Sequence, residues 1–151
     1  MGKKKVIEKS QEEVLKETEK VEEALKKGSK VSTGFGKITD GRVYISSSYN
    51  NTIITLTNNR GQVLATKSAG AVGFKGTKKA TSFAASRVAE AITLIIKKLG
   101  IEKITALIKG VGAGRESALR TLVAQGVNVV AIKDITPIPH NGGRPPKVRR
   151  V

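Results

Sequence analysis

The chain has 151 residues, with 28 Lys and Arg against 12 Asp and Glu, a net charge of +16 and a pI near 10.3. That length suits one domain with appendages, and a positive charge this large exceeds what solubility asks for, so it implies a polyanionic partner. The absence of Cys excludes disulfides and thiolate metal sites, and with His140 as the single His a zinc site lacks ligands, so no metal or other cofactor is expected.

The charge is unevenly spread. Residues 1–30 hold nine Lys and seven Glu, which leaves 19 basic and five acidic groups for the rest of the chain. The part expected to be globular is therefore the basic part. A membrane partner is disfavoured: Trp is absent, no run approaches the roughly 18 apolar residues of a span, and Val6 breaks the myristoylation pattern. Nucleic acid fits the charge better.

Residues 6–27 set Ile7, Val14, Leu15, Val21, Ala24 and Leu25 among charges, with Glu12/Lys16 and Glu22/Lys26 at helical spacing, which predicts a solvated helix. Gly28 to Gly41 reads as a hinge, so residues 1–40 form a charged N-terminal extension. Thr33-Gly34-Phe35-Gly36 imitates the centre of an RNA-recognition-motif signature, but Lys37 and Asp40 stand where that signature has aromatics.

The expected domain covers residues 41–134. Arg42–Ser48, Thr52–Thr57 and Gln62–Lys67 are β-branched or alternating runs separated by turn residues, a three-stranded antiparallel meander. A Gly- and Lys-rich loop, Ala69 to Thr81, leads to a helix carrying Val88, Ile92, Ile95 and Leu99 on one face, capped by Thr81 or Ser82 and stopped by Gly100. Lys103–Lys109 is a fourth strand, Gly110–Gly114 a turn, Arg115–Gln125 a second helix stopped by Gly126, and Val127–Asp134 a fifth strand. Right-handed parallel crossovers follow, and with them an α/β fold whose mixed five-stranded sheet is covered by flanking helices. Residues 135–151 hold all four prolines and the cations Arg144, Lys147, Arg149 and Arg150, an extended basic tail that orders on a partner. Asn141-Gly142 within it invites isoaspartate formation, since Gly does not shield the attacking amide.

Several segments suit phosphate contact. Gly110-Val111-Gly112-Ala113-Gly114-Arg115 follows a strand and opens a helix, where free N–H groups and the helix dipole favour an anion. It departs from the dinucleotide fingerprint, because Arg115 stands where the third Gly belongs. Gly73, Phe74, Lys75, Gly76, Lys78 and Lys79 form a loop without Walker spacing, in which small residues allow close approach and three lysines meet phosphate. Tyr49 and Phe74 can each take a base, although core packing suits Phe74 equally well. Catalysis is not expected, because Asp40, Glu90, Glu102, Glu116 and Asp134 are the acids beyond residue 30 and do not gather at strand centres as a two-metal nuclease requires.

Taken in order, Tyr49-Asn50-Asn51-Thr52, Ser68-Ala69-Gly70, Gly73-Phe74-Lys75-Gly76, Phe83-Ala84-Ala85, Gly112-Ala113-Gly114-Arg115-Glu116 and Asp134-Ile135-Thr136-Pro137-Ile138-Pro139-His140-Asn141-Gly142 resemble the universal small-subunit ribosomal protein eleven family from Gly41 to Val151. The resemblance implies a ribonuclease-H-like fold without catalytic acids. It implies binding to the central domain of small-subunit rRNA, in the cytoplasm, beside other platform ribosomal proteins and near the messenger exit path, and not as a homo-oligomer. On this reading the rRNA-binding residues are Tyr49, Asn50, Asn51, Lys67, Gly73, Phe74, Lys75, Gly76, Lys78, Lys79, Gly112, Gly114, Arg115, Arg120, His140, Asn141, Arg144, Lys147, Arg149 and Arg150. The chain departs from the family's usual residues at Ser82 and Val111, where Pro is common, at Gly143, where Cys is common, and at Val148, where Arg is common. The alternative is an architectural DNA or non-ribosomal RNA binder that uses the same charge without a fixed rRNA site.

Overall fold

The computed structural model describes residues 38–143 and Pro146. The expected helix over residues 6–27, most of the hinge, and Arg144, Lys147, Arg149 and Arg150 lie outside the described residues.

β1 (Asp40–Ser47) buries Val43 and Ile45 and exposes Arg42 and Ser46, the alternation of a strand with one covered face. It starts two residues before the expected Arg42, because Asp40 and Gly41 already pair in register with Lys103 and Ile104. β2 (Thr52–Asn58) returns antiparallel after a four-residue turn in which Ser48 N–H donates to the Asn51 carbonyl at 2.9 Å. β3 (Val63–Ser68) follows a turn fastened by Asn58, whose Oδ1 accepts from the N–H groups of Arg60 and Gln62. A register shift between Leu56 and Thr57 marks a bulge opposite Leu64.

α1 (Ser82–Leu99) is capped by Thr81, the first of the two expected candidates, with Oγ1 accepting from Ala84 N–H at 3.2 Å. It ends at Gly100 in the left-handed region, φ +67°. Its apolar stripe buries Val88, Ile92 and Ile95 as expected, while Leu99 is only partly buried. β4 (Lys103–Lys109) lies parallel to β1; α2 (Gly114–Ala124) then leads to β5 (Val129–Asp134), parallel to β4. β5 is two residues shorter at its start than expected, because Val127 is spent on the connection from α2, its N–H donating to Leu122 O.

The sheet order is β3-β2-β1-β4-β5, the mixed five-stranded sheet of the ribonuclease-H-like α/β class. Both crossovers step across the sheet in the same direction, and right-handed connections with the same sense place their helices on the same face. Accordingly α1 packs on β2 and β3, α2 packs on β1 and β4, and the helices pack on each other. The core between them contains Val43, Ile45, Ile54, Leu56, Val88, Ile92, Ile104 and Leu122. The covering expected of the sheet is thus one-sided: among the described residues no element lies over the opposite face. That face carries Thr66, Thr55, Tyr44, Leu107 and Lys133 as one row of register partners, and Ser68, Ile53, Ser46 and Lys109 as the next.

Candidate nucleic-acid interface

β1, β3, β4 and β5 all run in one direction, because β1, β4 and β5 are parallel and β2 is antiparallel to both β1 and β3. Their carboxyl ends therefore deliver four connections to one end of the molecule. These are the 48–51 turn, the 69–81 loop, the Gly110–Ala113 turn and the start of the tail. Both helices also point their N-termini this way. Tyr49, Asn50, Asn51, Gly73, Phe74, Lys75, Gly76, Lys78, Lys79, Gly112, Gly114 and Arg115, scattered over more than 60 residues of sequence, are brought together at this end. In α/β folds the carboxyl ends of the strands are where loops are free to hold ligand.

Two turns are locked against each other at the centre. Gly112 N–H donates to the Ser47 carbonyl at 3.1 Å, and the backbone passes so close that side chains have no room. A Cβ on Gly110 would overlap the Ser47 carbonyl oxygen, one on Gly112 the Ser48 carbonyl oxygen, and one on Gly114 the Thr52 hydroxyl and, at 2.9 Å, the Ala85 methyl. The glycines that suggested a phosphate cradle thus first serve contact between β1, α1 and the start of α2. Ser47 and Thr52 are buried beneath them with their hydroxyls 3.3 Å apart, a pairing that sequence reading missed. Beside them, the Asn51 Oδ1 is buried without a hydrogen-bond partner among the described residues.

Asp134 fixes the root of the tail. Its Oδ1 accepts from the Thr136 hydroxyl at 2.6 Å and the Thr136 N–H at 2.9 Å, while Oδ2 accepts from Arg115 Nη2 at 2.6 Å. Arg115 Nη1 donates to the Gly110 carbonyl at 2.9 Å, and Gly110 N–H donates to the Thr136 hydroxyl at 3.1 Å. The Thr136 hydrogen bonds, with Arg115 alongside, hold the Asp134 carboxyl down to about 2. In this arrangement the guanidinium of Arg115 is engaged by the protein itself. α2 starts at Gly114 with no side-chain cap, so its first N–H groups lack that partner, although Glu116 sits in the first turn.

The 69–81 loop stands on buried Ala69 and Val72 and is closed by Phe74 N–H donating to the Ala69 carbonyl at 3.1 Å. Gly73 (φ +108°) and Gly76 (φ +58°) turn it, and a short 3-10 helix, Gly76–Ala80, not expected from the sequence, sets Lys78 and Lys79 in its last turn. Lys75 and Lys78 are exposed and Lys79 half-buried. Phe74 is half-buried against the core and meets Phe83 edge-on, with centroids 5.9 Å apart. Phe83 is 58% exposed, with the Arg87 guanidinium 5.3 Å from its ring centre, and Tyr49 is 78% exposed. Phe83 was read only as part of a motif; its place in the first turn of α1 is the signal that sets it beside the loop.

Four expected contacts sit apart from this centre or at its margin. Lys67 is half-buried near the end of β3, and Arg120 lies on α2 with Glu116 at 3.5 Å, both well exposed. His140 and Asn141 are exposed, and Asn141 adopts φ +55°, a conformation Asn tolerates. Among the described residues no group of three or more His, Asp or Glu could hold a metal ion, and no helix is long and apolar enough to cross a membrane.

Loops rich in lysine and glycine gathered at one end of a small mixed sheet are the arrangement of a nucleic-acid-binding protein. A model of the family described as ribosomal protein S11 matches residues 41–150. The chain belongs to that family, and as such is a structural, rRNA-binding protein of the small ribosomal subunit.

Proposed function

We propose that the carboxyl end of the sheet is the rRNA-facing surface, seating the protein on the central domain of the small-subunit RNA in the platform, in the cytoplasm. The observation that carries this is the convergence of four connections and two helix N-termini at the end that also launches the tail. Lys75, Lys78 and Lys79 take phosphates, as do the N–H groups at the start of α2, beside the Arg115 guanidinium, whose remaining N–H groups can join them while Asp134 and the Gly110 carbonyl hold it in place. Tyr49 and Phe83 offer base-stacking surfaces, Phe74 backs Phe83 edge-on, and Asn50 and Asn51 offer carboxamides. Lys67, Arg120, His140 and the tail cations Arg144, Lys147, Arg149 and Arg150 extend the contact. The neighbours on this reading are other platform proteins and the upstream part of the messenger. The protein supports assembly and does no chemistry.

If the four tail cations contact phosphates, deleting residues 141–151 lowers the slope of log affinity against log salt by roughly 3, at about 0.7–0.9 per contact. An unchanged slope rejects the tail's part in binding. Central-domain rRNA fragments should also outcompete duplex DNA at matched salt; equal competition would favour the architectural binder instead.

A further inference from the structure

We infer that the uncovered face of the sheet is a second RNA-contacting surface, separate from the loop end, on which cations take phosphates and hydroxyls take the ribose. The inference rests on the proposed rRNA-binding function and adds a surface to it.

Arg42, Lys103, Lys109 and Lys133 all project from the uncovered face, since they share register rows with Thr105, Asp40, Ser46 and Leu107 on the same side of the pleat. All four are exposed. None has an ion-pair partner among the described residues. On the helix side the arginines are treated differently: Arg87 pairs with Glu90 at 2.9 Å, Arg115 with Asp134 at 2.6 Å and Arg120 with Glu116 at 3.5 Å. The fold thus distributes its few carboxylates to one side. Asp40, at the rim in register with Lys103, is the one acid in the register rows of the bare face.

The spacing suits a nucleic-acid backbone. Lys103 and Lys109 stand six residues apart along β4, about 20 Å, with Arg42 on the strand to one side, level with Thr105, and Lys133 on the strand to the other, level with Leu107, each about 8 Å from the nearer lysine. Between them lie the hydroxyls of Ser46 and Thr105, and those of Thr55 and Thr66 continue the face across β2 and β3; such groups donate to or accept from ribose 2′-OH and phosphate oxygen. Tyr44 and Leu107 in the middle are half-buried among these neighbours and do not project as an apolar anchor, and the more exposed Ile53 stands on β2, away from the lysines of β4 and β5. A protein partner would ask for such an anchor at the centre of its interface, with the charges at the rim. Charge complementarity and the hydroxyl rows point to RNA.

The test is binding of a central-domain rRNA fragment across a salt series by the full chain and by R42A/K109A/K133A. The expected result is a salt slope lower by about 2–3 for the triple variant, at about 0.7–0.9 per lost contact, with K97A/K98A on the helix side unchanged. In the unaltered protein, Lys103, Lys109 and Lys133 should also become protected from an amine-reactive reagent in the complex while Lys97 and Lys98 stay reactive; this measurement needs no variant to fold. A parent protein that binds tightly, together with a triple variant of undiminished slope and open-face lysines labelled as in the free protein, overturns this inference and leaves the loop-end reading standing. A parent protein that shows no preference for the rRNA fragment overturns both.

Discussion

Three glycines at the amino end of the sheet and the Gly110–Gly114 turn at its carboxyl end serve opposite purposes. At the amino end, Gly61, Gly100 and Gly126 all have positive φ, and a Cβ on any of them would meet nothing within 4 Å. They are there for backbone freedom. At the carboxyl end, Gly112 and Gly114 need no positive φ, yet a Cβ would collide with Ser48, Thr52 or Ala85, and Gly110 has both constraints at once. Here glycine is chosen for closeness, which welds two turns into one rigid platform. The end that faces RNA on our reading therefore has a closely packed backbone at its centre, with the lysine-bearing loop beside it.

Substitutions sharpen this contrast. Gly110→Ala adds backbone strain to overlap with a backbone carbonyl, and should cost about 4 kcal/mol, read by chemical denaturation. Gly112→Ala has overlap without strain, and about 2–3 kcal/mol is expected. Gly100→Ala has strain without overlap, and should cost only about 1 kcal/mol. If Gly100→Ala proved as damaging as Gly112→Ala, the distinction between the two ends would be wrong. Thr136→Val removes the hydroxyl shared by Asp134 and Gly110, and a loss of about 1 kcal/mol is expected.

The smallest effect is that of acid. Because the Asp134 carboxyl titrates lower in the folded chain, near 2, than its ordinary value of 3.8, its contribution is present above pH 4 and lost as pH falls through 2. An NMR titration should place its midpoint near 2, and Thr136→Val should move it upward. A midpoint that stays near 2 in that variant would mean Arg115, and not Thr136, holds the carboxyl down.

Most of the layout was legible because local signals agreed. The β-branched alternation of β1 and β2, the Asn-rich turns, the Thr81 cap and the Gly100 stop each had a local cause, and β4 kept its expected bounds. The one-sided helix layer was also implicit, since two right-handed crossovers stepping the same way leave one face bare, but this emerges only once the strand order is known. The Asp134, Thr136 and Arg115 network was not legible, because its members are up to 21 residues apart and meet only through the β4–β5 pairing. The glycines of residues 110–114 were read as ligand-seeking when their first partners are Ser47, Ser48 and Thr52, a confusion composition cannot resolve, since phosphate and neighbouring backbone demand the same missing side chain.

β5 has a price beyond its own fold. It is one of the two outer strands of the sheet, its free side unpaired among the described residues, with Val130 63% and Ile132 58% exposed and Lys133 as the one charged residue before its last position. Such an edge is a template for further strands. The isolated chain therefore carries a strand-pairing edge, expected to show as self-association when the free protein is concentrated.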